Sequence, residues 1–240
     1  MADTDGPAQP APYRLRWYGL IGVQVAGLGA GAILAWLLTR AGATAFLTSF
    51  NGLALVLDAS NLVLLALSLR CLKRDAALPV RLRALSLRGW AFVAVAGLAL
   101  LGLSLAYESL AGKLLHVDID AAENAMPLVA HHARQMAVGI VTVALLGPLT
   151  EEVYFRGLLM GWLSRHLGMG SAIAGSALLF GLAHMAFLTP GGTTGLVLTV
   201  ELVLMGLALG LVAARTGSLW ASFAIHAVNN LCAMLLSFFF

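Results

Sequence analysis

Residues 135–163 read QMAVGIVTVALLGPLTEEVYFRGLLMGWL. The stretch is apolar over 29 residues, long enough to cross the hydrocarbon layer, yet it carries Glu151, Glu152 and Arg156 near its middle. An ionisable group at membrane depth is expensive and needs a reason. The same stretch therefore decides the fold and points to a site within it.

Working outward, further apolar runs cover roughly 18–38, 46–69, 90–110, 171–189, 195–214 and 218–239. Together with 135–163 they predict about seven spans. Backbone facing lipid must satisfy its own hydrogen bonds, so runs of this length are helices. The composition agrees: 60% hydrophobic, 10% charged, with mean hydropathy +0.93. A soluble domain carries about 25% charged residues. The predicted fold is all-α, a polytopic transmembrane helical bundle with a cytoplasmic N-terminus. Its expected organisation is a disordered tail over 1–16, N-terminal transmembrane helices over 17–134 and a catalytic transmembrane core over 135–240, within one bundle. The first apolar run lacks a small-residue cleavage site and reads as a span rather than a removed signal peptide.

Basic residues set the orientation. With the N-terminus inside, Arg14, Arg16, Arg70, Lys73, Arg74, Arg81, Arg83, Arg88, Arg156, Arg165 and Arg215 fall on or toward the cytoplasmic side, 11 of 14 Lys and Arg. The segment 111–134, with Asp118, Asp120 and Glu123, fits an external loop. The basic segment 70–89 reads either as a topology-setting loop or as a surface helix on an anionic leaflet. This map explains the pI of 9.2 through the membrane, with no nucleic-acid partner. Cys71 and Cys232 lie far apart and outside any CxxC, which argues against a disulfide framework or a thiolate zinc site.

Four groups combine chemistry with depth. Glu151 lies 14 residues from Arg165, at the inner end of its helix. His184 lies 14 residues from Gly170, and His226 and Asn230 lie 8 and 12 residues from Ser218. At about 1.5 Å per residue these are heights of roughly 21, 21, 12 and 18 Å, one slab near mid-membrane. Glu152 and Arg156, four apart, share a helix face and can pair. Glu151 is turned about 100° away from Glu152. Pro148 removes a backbone donor and should bend the helix beside the site.

A carboxylate in a partly dry pocket is a competent general base. A histidine can help orient or deprotonate a water, and a histidine with an asparagine can donate to an oxyanion. Those parts serve water attack on an amide. The same Glu151, His184 and His226 are also ligand types for catalytic zinc, although no HExxH helix is present. Taken singly, a Glu–Arg pair is often a structural clamp and a lone histidine a packed core residue. Ordered along the chain and matched in depth, they point to a site. Asn51, Asp58 and Asn61 form a polar stripe on the second helix, either lining that site or pairing with a neighbouring helix.

These residues resemble the CPBP (Abi) family of intramembrane proteases, relatives of the type II CAAX prenyl endopeptidases. Glu151-Glu152 with Arg156 matches the family's EExxxR core, Phe180 with His184 its FxxxH, and His226 with Asn230 its HxxxN. The likeness covers about residues 135–235. It implies an intramembrane endopeptidase in which Glu151 activates water, His184 assists, His226 and Asn230 stabilise the oxyanion, and Glu152, Arg156 and Phe180 shape the site. The family is described both as metalloproteases and as glutamate proteases without an essential metal. The favoured expectation is that no cofactor is required, with zinc on Glu151, His184 and His226 as the alternative. The implied substrate is a membrane-associated, prenylated or precursor peptide, and the implied location a multi-pass protein of the inner or plasma membrane. The rival classes are a small-molecule transporter, disfavoured because no inverted repeat of broken helices is visible, and a non-catalytic binding or immunity protein. Oligomeric state is left open.

Overall fold

The computed structural model describes residues 13–119, 132–185 and 192–239. Most of the expected tail (1–12) and half of the expected external loop (120–131) lie outside the described residues. Among the described residues eight helices follow in order: α1 Trp17–Arg40, α2 Thr44–Leu47, α3 Phe50–Arg74, α4 Leu87–Leu115, α5 Ala133–Leu167, α6 Met169–Met185, α7 Gly192–Thr216 and α8 Leu219–Phe239. Among the described residues six of them are long and apolar enough to cross a membrane, and α6 is a shorter apolar helix of 17 residues. The helical, membrane-spanning architecture is the expected one. α2 is a single turn that the sequence reading had merged into the second span.

Local chemistry explains the boundaries. Ser49 and Ser86 cap α3 and α4, each accepting from the N–H three residues on at 3.2 Å. Gly168 (φ 76°) and Gly217 (φ 63°) end α5 and α7 in the left-handed region, where glycine is unstrained, and so permit the tight joins to α6 and α8. The outer surface is apolar: Val95, Leu98 and Leu103 of α4 are about two-thirds exposed or more. Such a surface suits lipid and would be a liability in water.

The core lies where α5 threads the bundle. Val153, Leu158 and Met160 of α5 are fully buried, as are Phe180 of α6, Leu209 of α7 and Leu219 of α8. α6 and α7 pack closely because Gly206 has no side chain: a Cβ there would sit 3.0 Å from Ala177. In lipid, close backbone approach of this kind is a main source of helix association.

The basic segment after α3 forms no helix. Residues 75–86 run as an extended loop beneath the bundle, with Leu78 and Val80 buried. The surface-helix alternative is thus replaced by an anchored loop. Asp75 is its anchor, fully buried. Its carboxylate accepts from Leu15 N at 2.7 Å and pairs with Arg165 Nη2 at 2.7 Å. The Arg81 guanidinium caps the end of α3, donating to the carbonyls of Leu72 and Asp75 at 2.9 and 3.0 Å. Arg81 also forms a one-residue parallel bridge with Ser218 at the start of α8. The start of α1 and the ends of α3 and α5 are tied together through Asp75, and the start of α8 joins them through Arg81.

Burial alone would raise the Asp75 carboxyl. The Leu15 N–H and the Arg165 guanidinium outweigh it and hold the carboxyl below the ordinary carboxylate range. A depressed folded-state pKa gives stability that is fully present above the unfolded value and lost as pH falls through the folded one. Asp75→Asn should therefore lower stability at neutral pH by about 3 kcal/mol, the order expected for breaking a buried pair. It should also flatten the acid limb of thermal stability, both read from unfolding of detergent-solubilised protein between pH 3 and 7.

Candidate active site

α5 is not a uniform α-helix. Its Ile140–Leu146 and Glu152–Leu159 segments are π-helical, with an α-helical Gly147–Glu151 between them. Gly147 N donates to Thr142 O, five residues back. In that register the next donor would be residue 148 and its acceptor Val143 O. Residue 148 is proline and has no N–H. The Val143 carbonyl is instead served by Asn230 Nδ2 of α8 at 2.9 Å. Pro148 thus opens the backbone beside Glu151, and α8 fills the opening with a side-chain amide. π segments recur at functional sites for the same reason: the extra residue re-aims side chains.

Glu151 and Glu152 then face different surroundings. Glu152 is wholly buried and Oε1 takes two donors: Arg156 Nη1 at 2.8 Å and His226 Nδ1 at 3.0 Å. Arg156, also buried, donates to Gly206 O at 3.3 Å and lies 4.5 Å from the Phe180 ring centre. The expected Glu152–Arg156 pair is present, and it extends to α7, α6 and α8. Phe180 packs against His184, its ring 4.5 Å away, and against His226 at 5.8 Å.

Glu151 is the partly accessible acid, with its side chain 26% exposed. Its Oε1 lies 3.6 Å from His184 Nε2 and its Oε2 3.6 Å from His226 Nε2. These are ion-pair distances, longer than a hydrogen bond. The tautomers follow from the opposite nitrogens. His184 Nδ1 lies 2.9 Å from Phe180 O, a carbonyl that can only accept, so Nδ1 carries a proton. His226 Nδ1 faces a carboxylate already held by arginine, so it too donates. Both rings therefore turn Nε2 toward Glu151.

Four of the five candidate catalytic residues thus meet: Glu151, Glu152, His184 and His226. Asn230 is joined to the site through the α5 backbone, and the oxyanion role expected for it has one amide hydrogen already engaged by Val143. Asp58 takes the second of its two expected roles, accepting from Thr142 Oγ1 of α5 at 3.1 Å. The sequence reading did not single out Thr150, whose hydroxyl bonds Leu146 O at 2.8 Å and Asn61 O at 3.4 Å. It also did not single out Gln24. With Glu151 and His184, Gln24 and Asn61 line a cavity of about 370 Å³ between α1, α3, α5 and α6. No charge or motif marks Thr150 or Gln24, so only tertiary proximity reveals them, whereas Asn61 belongs to the polar stripe read on the second helix.

Glu151, His184 and His226 offer the carboxylate and imidazole donors of a zinc site. Among the described residues, however, no three His, Cys, Asp or Glu side chains are grouped so as to hold a metal ion. The two cysteines, Cys71 and Cys232, are free thiols.

Residues 133–232 match the family model for type II CAAX prenyl endopeptidase, Rce1-like. The matched segment contains all three motifs and supports the CPBP protease family that they indicate. No curated protein and no solved structure matches the chain.

Asn230→Ala should leave the Val143 carbonyl without its donor, at a loss of about 1–2 kcal/mol in thermal unfolding. Asn230→Asp, which sets a carboxylate against that carbonyl, should be worse than Asn230→Ala.

Proposed function

We propose that this chain, whose residues 133–232 match the Rce1-like type II CAAX prenyl endopeptidases, is an intramembrane endopeptidase that uses Glu151 to activate water. The observation that carries this reading is the two-sided setting of Glu151. It is the accessible acid of its pair, it lines the cavity, and two imidazole Nε2 atoms face its two oxygens at 3.6 Å.

In the proposed reaction Glu151 takes a proton from a water molecule held between it and His184. The water oxygen adds to the scissile carbonyl carbon and a tetrahedral oxyanion forms. The proposed oxyanion donors are Nε2–H of a doubly protonated His226, whose Nδ1–H is held by Glu152, and the remaining amide hydrogen of Asn230. Glu151 then passes the proton to the leaving nitrogen, the C–N bond breaks as the oxyanion re-forms the carbonyl, and a carboxylic acid, still carrying the second water proton, and an amine are released. Glu152 and Arg156 do no proton transfer in this scheme. Their mutual neutralisation lets two charges remain buried and fixes His226.

The proposed substrate is a membrane-associated peptide, prenylated or a precursor, cut in a multi-pass protein of the inner or plasma membrane with its N-terminus cytoplasmic. A largely apolar cavity beside an acid supports that class over a soluble peptide. The proposed mechanism requires no metal. Glu151, His184 and His226 would be the ligands if one bound, where it would act as a Lewis acid, and no step above is routed through it.

Glu151→Gln and His184→Ala should each reduce cleavage of a quenched fluorogenic peptide by about 10²- to 10⁴-fold while the protein still folds and inserts. Cleavage should persist in a chelator. Activity lost to the chelator and restored by zinc would overturn the metal-free mechanism, and full activity in Glu151→Gln would overturn the catalytic assignment.

A further inference from the structure

The residues that match the family begin at 133, yet the cavity beside Glu151 is walled largely by α1 and α3, which lie before it. That wall is apolar, with Leu28, Val56 and Leu57 among its residues. Two carboxamides interrupt it, Gln24 from α1 and Asn61 from α3. Among the described residues no Lys or Arg lines the cavity, so it offers no fixed cation to an anionic ligand, and its one carboxylate, Glu151, is assigned to the reaction.

Hydrogen bonds between the helices place both carboxamides at the level of Glu151. Spans one and four of a sequentially threaded bundle run in opposite directions. Tyr154 Oη of α5 donates to Leu20 O of α1 at 3.3 Å, which fixes the level between them. From there Gln24 is four residues along α1, about 6 Å, and Glu151 is three residues back along α5, about 4.5 Å in the same direction. α3, the second span, is pinned one residue from Glu151, because Thr150 Oγ1 donates to Asn61 O at 3.4 Å. That bond uses the Asn61 main chain and leaves its side chain to the cavity.

Gln24 Oε1 is buried without a hydrogen-bond partner. A buried acceptor left unpaired costs about 1–3 kcal/mol, and in an apolar wall that deficit falls to any ligand bringing an N–H. A peptide supplies N–H and C=O groups in alternation, which is what a pair of carboxamides can read. An isoprenoid or acyl chain supplies neither.

We propose that Gln24 and Asn61 are substrate-positioning residues, binding the peptide backbone of an uncharged, apolar substrate segment beside the scissile bond. The proposal rests on the endopeptidase reading. Gln24 Oε1 accepts a substrate N–H, Asn61 donates to a substrate carbonyl, and the flanking leucines and valine take the apolar side chains. The matched segment then supplies the chemistry, while the helices outside it select what is cut.

The test uses full-length protein in lipid nanodiscs and the quenched fluorogenic peptide that the wild type cleaves best. Gln24→Leu and Asn61→Leu keep side-chain size on helices that are otherwise apolar. Each should raise KM by roughly 5- to 10-fold, the worth of one hydrogen bond, with kcat within about twofold of wild type. Peptides N-methylated one amide at a time give the readout that a merely structural role would not move. One methyl position should weaken wild-type cleavage by a similar factor and have no further effect in Gln24→Leu. Wild-type KM in both variants, or N-methyl penalties equal in wild type and Gln24→Leu at every position, would overturn the proposal alone. A wild-type protein that cuts no peptide would overturn the endopeptidase reading and this inference with it.

Discussion

Two charges buried at membrane depth must find each other, and the Glu152–Arg156 pair on α5 is the constraint on which the rest of this bundle is arranged. Neither side chain has access to water. Isolated, each would be costly enough in hydrocarbon to eject the segment or to lose its charge. The pair instead recruits a third group from each neighbour: Gly206 O of α7, the Phe180 face of α6 and His226 of α8. Four helices converge because each satisfies part of one electrostatic demand. The small residues of α6 and α7 make that convergence possible. Arg156 reaches the Gly206 carbonyl on a helix that meets Ala177 with no side chain between.

This cluster also separates the two glutamates. They are adjacent and chemically identical, and their roles diverge only through surroundings. Glu152 is closed to solvent and held through Oε1 by Arg156 and His226. Glu151, a third of a turn away, faces two imidazole nitrogens and the cavity. The division depends on the unusual backbone of α5. A regular α-helix would leave Ala144 O, four residues before Pro148, as the orphaned carbonyl. The π register moves the orphan to Val143 and within reach of Asn230. The asparagine of the third motif is thereby explained by backbone hydrogen bonding, alongside any part it takes in catalysis.

How much of this was legible in the sequence follows from the kind of signal each feature carries. The spans were legible because lipid imposes a length and a composition on every helix. Glu151, Glu152, Arg156, His184 and His226 were legible because charge in an apolar run is conspicuous and helical spacing gives faces and depths. The two π segments were not, since Pro148 announces a disturbance without announcing its register. Nor was the role of Asp75, which looked like one acid in a basic loop. Its partners, Leu15 and Arg165, lie 60 and 90 residues away in the chain. Asn61 was legible only as part of a polar stripe with Asn51 and Asp58, and Gln24 carried no signal, because uncharged polar residues are tolerated in spans for many reasons.

Under the proposed function, the same contrast bears on how such a protein could change its substrate without losing its chemistry. The groups around Glu151 that hold tautomer and charge all lie on α5, α6, α7 and α8, and each is bound to at least one other. Replacing any one leaves a buried polar partner unsatisfied, so they can change only together. At the cavity the α1 and α3 wall is held to α5 by bonds that use main-chain atoms on its own side, the carbonyls of Leu20 and Asn61, and outside the cavity lining by the Asp58 carboxylate, which accepts from Thr142. Side chains that face the cavity, such as Gln24 and Leu28, are therefore free to vary while helix position is kept. On the proposed function, a site built in this way would separate reaction from recognition: the side-chain network would fix what is done to a substrate, and the backbone-anchored wall would leave open which substrate it is done to.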